Sequence, residues 1–227
     1  MPVDLAPKLI DVAMPRKPEG AVLVLHGGAS RRGDVMVSPT QLSVLRMVPI
    51  ARQIARAAHR RLAVFRLLNS RRGWDTSHTP VQDAIWGLGE ITRRLGDRLP
   101  TCLVGHSLGG RAAILAAGEE QVRAVAALAP WVYPTDVPRA LHGQRILIVH
   151  GSQDRIASPS RSASLARNLA AHADVGYVTV LGAKHAMLRR HEVFDTLAAR
   201  FAATTLLGTA PTGVLAEIAA GRRWVQV

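Results

Sequence analysis

Apolar residues in this chain fall into short continuous runs separated by longer stretches of helical spacing. Residues 21–25 (AVLVL), 62–67 (LAVFRL), 101–105 (TCLVG), 122–128 (VRAVAAL), 145–151 (RILIVHG) and 175–181 (VGYVTVL) are almost uninterrupted by charge. Runs of this length suit strands buried on both faces. Between them the period changes. Leu42, Leu45, Ile50, Ile54 and Ala58 recur at helical spacing, with Arg46, Arg52 and Arg56 between them, and predict a surface-packed helix over 40–59, broken at Pro49. Pro80 opens a second helix through Ile85, Leu88, Ile91 and Leu95. Further helices are predicted after residue 107 and over 160–173, 192–206 and 214–220. Strand and helix alternate throughout, which predicts a three-layer α/β/α sandwich: a mostly parallel sheet of six to seven strands covered on both faces. The proline-rich start contributes at most one edge strand near residues 9–12.

Length and composition narrow this further. At 227 residues and 48% hydrophobic content, the chain suits one domain over 1–227, with its core at about 21–205 and peripheral ends, 1–20 and 208–227. No apolar run reaches the roughly 20 residues that span a bilayer, and the start lacks a signal-peptide layout, so the cytoplasm is the expected location. A single cysteine, Cys102, lies within an apolar run, where it reads as a small core residue.

The net charge of +13 raises the question of a nucleic-acid partner. Its distribution points elsewhere. All but three of the 29 basic residues are arginine, scattered as singles and pairs, and aromatics make up 4% of the chain. There are few stacking platforms for single strands, and no nucleic-acid partner is expected.

In a parallel sheet, functional groups gather at the carboxyl ends of the strands. The residues just past those ends are His26-Gly27-Gly28-Ala29, then Gly105-His106-Ser107-Leu108-Gly109, then Gly151-Ser152-Gln153-Asp154, and last Gly182-Ala183-Lys184-His185. The second group is a G-x-S-x-G pattern between strand and helix, in which a tight turn lifts the serine above the sheet edge. Ser, Asp and His follow one another in that chain order.

These four motifs in register resemble the α/β-hydrolases, in particular small serine hydrolases of the dienelactone-hydrolase or compact-esterase kind; Ser107 stands where dienelactone hydrolases proper carry cysteine. The resemblance implies Ser107 as nucleophile, His185 as base and Asp154 as its orienting acid, with the backbone N–H groups of Leu108 and Gly28 as oxyanion donors and Ala29 as the neighbouring candidate. Asp136 is the rival acid and His191 the rival base. His26, His106 and His150 read as structural hydrogen-bonders, and His78 as a surface residue. No metal or cofactor is implied. Only 14 residues separate Pro130 from Arg145, too few for a helical lid, so the site should be open. Its expected borders are Trp131, Tyr133, the 69–79 loop with Trp74, and the 30–39 loop, with Trp131, Trp74 and Ala29 as substrate contacts. The expected activity is hydrolysis of small-molecule carboxylic esters, broad or short in acyl chain. Arg31, Arg32, Arg71 and Arg72 in these loops leave an acidic or phosphate-bearing substrate open. Thioesterase or acyltransferase chemistry on acyl-CoA or carrier substrates is the alternative, and a non-catalytic or nucleic-acid-binding protein on the same fold is the alternative of another class. The sequence leaves oligomeric state open.

Overall fold

The computed structural model of the chain describes residues 6–28 and 37–227. Its strands are β1 (Lys8–Ala13), β2 (Gly20–Leu25), β3 (Leu62–Leu68), β4 (Thr101–His106), β5 (Val122–Leu128), β6 (Arg145–Gly151), β7 (Asp174–Val180) and β8 (Trp224–Gln226). They form one sheet in the order β1-β3-β2-β4-β5-β6-β7-β8. Among the described residues only β1 runs antiparallel, against β3; every other pair is parallel. Among the described residues seven helices accompany them: α1 (Leu42–Leu45), α2 (Met47–Ala57), α3 (Thr79–Leu95), α4 (Leu108–Leu115), α5 (Pro159–Leu169), α6 (His191–Leu207) and α7 (Val214–Ala219).

Alternation along each strand divides the core into two layers. Val22 and Val24 of β2, with Val104, Leu147 and Val149, face Ile50 and Ile54 of α2 and Phe194 and Phe201 of α6. Leu23 and Leu25, with Phe65, Leu103 and Ile148, face Leu88 and Ile91 of α3, Ala112 and Ala113 of α4, and Leu165 of α5. Every residue of β2 and β4 is buried, which is why those strands carry no polar face. Cys102 lies in the first layer, where burial pushes its thiol well above the usual range.

Three departures from expectation have physical causes. The helix over 40–59 breaks at Arg46, not at Pro49; Pro49 lies in the first turn of α2, where backbone N–H groups have no intrahelical acceptor to lose. Leu42 and Leu45 keep the helical period but do not enter the core: they are 83% and 45% exposed. The tail after residue 208 adds, beyond the expected helix α7, an eighth strand, whose Val225 is buried beside β7 and whose Trp224 ring lies 4.7 Å from that of Tyr177.

From β2 the chain crosses to β3 on one side, and β4 then pairs with β2 on the other. The carboxyl ends of β2 and β4 therefore flank a topological switch point, the place in an open parallel sheet where a crevice forms.

Candidate active site

Ser107 links β4 to α4 with φ +55° and ψ −118°, a region that non-glycine residues rarely occupy. Its backbone is held on both sides. The Ser107 N–H donates to the Leu128 carbonyl, and the Ser107 carbonyl accepts from the N–H groups of Arg111 and Trp131, all at 3.0–3.1 Å. The turn can be this tight only where side chains are missing. A Cβ on Gly105 would lie 2.1 Å from the Gly109 carbonyl oxygen, and one on Gly109 would lie 2.5 Å from the carbonyl oxygens of Leu25 and His26. Glycine at both positions lets the start of α4 rest on the ends of β2 and β4.

His185, in the loop after β7, places Nε2 2.9 Å from Ser107 Oγ and Nδ1 2.8 Å from Asp154 Oδ2. An ionised carboxylate only accepts, so the Nδ1 hydrogen points to Asp154 and the bare Nε2 accepts from the serine hydroxyl. Asp154 follows β6. Its Oδ1 accepts from the N–H groups of Ile156 (2.8 Å) and Ala157 (2.9 Å), and His150 Nε2 lies 3.1 Å from Oδ2. Burial alone would raise the Asp154 carboxyl, but the hydrogen bonds from His150, His185, Ala157 and Ile156 outweigh it and hold the group well below the usual carboxylate range.

His106 supports this arrangement from the elbow. Its Nε2–H donates to the His185 carbonyl at 2.9 Å, and the two rings lie 5.0 Å apart. Complete burial, and then the charge of His185, push His106 down to about 3, so its ring is neutral. His26, also lowered by burial, donates from Nδ1 to the Gly27 carbonyl and accepts the Asn69 N–H at Nε2, tying the end of β2 to the end of β3.

Ser107 and His185 open onto a cavity of about 540 Å³. Gly27, Gly28, Leu108 and Trp131 line it, as do Leu42, Leu45, Ile156 and Leu188. The last four are apolar and exposed, Ile156 at 70% and Leu188 at 73%. Among the described residues the one arginine or lysine in the lining, Arg46, is paired at 2.7 Å with buried Asp195 of α6. Leu108 occupies the first position of α4, where an N–H has no intrahelical acceptor and the helix dipole favours negative charge.

The remaining predicted residues fall elsewhere. Trp74 is absent from the cavity lining. Its ring lies 4.2 Å from the guanidinium of Arg111, which also reaches Tyr133 at 5.0 Å and Trp131 at 5.6 Å. Trp74 thus stacks on Arg111, whose buried cation is stabilised by aromatic faces as well as by a counter-charge. That counter-charge is Asp136, which takes a two-pronged contact from Arg111 Nε and Nη2 at 2.8 Å and does not face His185. His191 starts α6 with a largely exposed side chain, 3.8 Å from Asp195. Arg71 and Arg72 do not line the cavity. Ala29, Arg31 and Arg32 lie outside the described residues. The segment 131–144 holds no helix, leaving the mouth without a lid on that side. Leu42, Leu45, Ile156 and Leu188 were not expected at the site; the available signal was an apolar residue next to arginine in a predicted loop, as in Arg155-Ile156 and Leu188-Arg189.

No family model matches the chain, and no curated protein sequence does. Its fold is shared with solved structures. An alpha-beta serine hydrolase homologue from Coxiella burnetii superposes with a TM-score of 0.63 at 17% identity, over 86% of this chain and 91% of the other. Est1E from Butyrivibrio proteoclasticus gives 0.63 at 15% identity, over 89% and 94%. The esterase domain of a Rhodothermus marinus protein gives 0.60 at 16%, over 88% and 98%. The chain has the α/β-hydrolase fold in a compact form without a large cap. Among the described residues no helix is long and apolar enough to cross a membrane.

Proposed function

We propose that this protein is a serine hydrolase that cleaves carboxylic esters through an acyl-serine intermediate. One observation carries the reading: the hydrogen-bonded line Ser107–His185–Asp154 ends at the floor of an apolar cavity at the sheet's switch point. The esterases and serine hydrolases that share the fold are consistent with it; at their low identity the chemistry rests on this chain's own residues.

The steps follow from the atoms present. A substrate carbonyl enters over Ser107. His185 Nε2 takes the hydroxyl proton as Oγ bonds to the carbonyl carbon, and the resulting imidazolium is held by Asp154. Negative charge forms on the carbonyl oxygen, which the N–H groups of Leu108 and Gly28 receive; such a donor is typically worth about 3 kcal/mol in the barrier. His185 then gives its proton to the departing alcohol oxygen, leaving the acyl group on Ser107. A water, deprotonated by the same nitrogen, attacks the acyl carbon; the bond from that carbon to Ser107 Oγ then breaks, His185 returns the proton to Oγ, and the acid leaves. Because the walls are apolar, binding energy comes from burying an acyl or aryl group against Trp131, Leu45, Ile156 and Leu188, at about 25 cal/mol per Å² of apolar surface removed from water. A cavity of this size and lining fits esters of medium acyl chain as well as short ones. Ferulic acid is bound in a structure of Est1E, so an aromatic acyl ester belongs in the test panel.

Turnover of p-nitrophenyl acetate, butyrate and octanoate checks the reading. Ser107→Ala should lower kcat by about 10⁴-fold or more while leaving the fold intact. Unchanged turnover in that variant would sink it. A thioester counterpart of the best ester, measured beside it, ranks hydrolysis of esters against acyl-CoA chemistry.

A further inference from the structure

His150 is fully buried near the carboxyl end of β6, four residues before Asp154. Its Nε2 lies 3.1 Å from Asp154 Oδ2 and 3.2 Å from the Ala157 carbonyl oxygen. Both neighbours are acceptors, so Nε2 must carry a hydrogen. On the other side of the ring, Nδ1 is 2.8 Å from Ser162 Oγ in α5. That hydroxyl also meets the Tyr177 phenol of β7 at 3.0 Å and the Pro159 carbonyl at 2.9 Å, and Tyr177 in turn reaches the Pro159 carbonyl at 3.1 Å. One arrangement satisfies every atom with a neutral ring: Ser162 donates to Nδ1, Tyr177 supplies the hydrogen for Ser162 Oγ or Pro159, and Nε2–H is left for Asp154.

Asp154 is thereby surrounded. Two backbone N–H groups fill Oδ1, and two imidazole N–H groups, from His150 and His185, share Oδ2. A carboxylate with one imidazole could turn about its Cβ–Cγ bond and still be paired. With the second imidazole anchored in the core, any such turn breaks a buried hydrogen bond to a charged group, among the costlier bonds to lose.

Building on the reading of Ser107, His185 and Asp154 as the reacting line, we propose that His150 is a positioning residue for the reaction: it clamps the Asp154 carboxylate so that Oδ2 stays on His185 Nδ1, while Ser162 and Tyr177 set the His150 tautomer that makes this possible. The line then runs from Ser107 through His185, Asp154, His150 and Ser162 to Tyr177. His150 touches no reacting atom; it acts through Asp154.

Two substitutions separate this from packing alone. His150→Leu fills the space but donates nothing, and His150→Gln places an amide N–H where Nε2 lies. In His150→Leu, kcat on a p-nitrophenyl ester should fall about 10- to 100-fold, as expected for a lost hydrogen bond to a charged group, with KM changed less than about twofold. The downfield proton resonance of the His185–Asp154 bond should move or broaden. His150→Gln should restore most of kcat and the resonance. Wild-type kcat in His150→Leu, or equal losses in both variants, would overturn the clamp. If His150→Leu does not fold, Ser162→Ala decides: a loss of about threefold in kcat at constant KM supports the clamp, and wild-type kinetics refutes it. Fluorophosphonate labelling keeps the two levels apart, since His150→Leu should still label at Ser107, more slowly, whereas a wild-type chain that neither labels nor turns over would refute the parent reading and the clamp with it.

Discussion

Asp136 and Asp154 follow adjacent strands, β5 and β6, and both are buried, yet the structure gives them different tasks. Asp136 meets Arg111 of the elbow helix in a two-pronged contact and also accepts the Tyr133 N–H, so its charge is consumed in fastening the 131–144 segment over α4. Asp154 instead meets two backbone amides and two imidazoles, and one of those imidazoles faces Ser107. Burial therefore does not distinguish the two. In the proposed mechanism the acid is marked by a carboxylate held in place and pointed at a base that becomes positive during the reaction.

Removing each carboxylate should expose that difference. Asp154→Asn leaves the size of the group unchanged but offers His185 an amide that can reverse its tautomer. Its kcat should drop by about 10⁴-fold with little loss of stability, measured by ester turnover beside a urea melt. Asp136→Asn should do the reverse. It strands a buried guanidinium, so unfolding free energy should fall by about 3–5 kcal/mol, while kcat per folded molecule stays within a few fold. A large loss of kcat in folded Asp136→Asn, with Asp154→Asn active, would exchange the two roles.

A smaller effect concerns the ring that holds His185. His106 is neutral in the folded protein down to about pH 3, while in the unfolded chain it titrates near 6.5. Between those values the unfolded state binds more protons, so stability falls as pH falls, by about 1.4 kcal/mol per pH unit from this group. His106→Gln keeps a donor for the His185 carbonyl but cannot be protonated. From pH 6.5 to 5 the wild type should lose about 2 kcal/mol more than the variant in urea unfolding. Parallel pH profiles would show that another group carries the acid sensitivity; His26, also depressed by burial, is present in both.

Much of this was visible in the residue pattern. The six buried runs are strands because a parallel sheet covered on both sides favours apolar residues on both faces, and the glycines at 105 and 109 announce a close approach that the structure shows at 2.1–2.5 Å. The residues after those runs meet because strand ends converge at one edge. Less legible was anything decided by contacts across the sequence. Leu42 and Leu45 continue the period of α2, and only the break at Arg46 turns them to the cavity. Trp74 looks like a substrate contact until Arg111 is placed beneath it. β8 is three residues long and pairs only because Val225 finds space beside β7. His150 is four residues from Asp154 in sequence, but its purpose depends on Ser162 and Tyr177 from two other elements.

Ser107 is proposed as a nucleophile rather than a strained turn residue. Treating the folded chain with a fluorophosphonate and mapping the adduct by peptide mass spectrometry tests that directly. A single adduct on the peptide carrying Ser107, prevented by an ester substrate and lost in His185→Ala, is the predicted result; no adduct, or one on another serine, would contradict it.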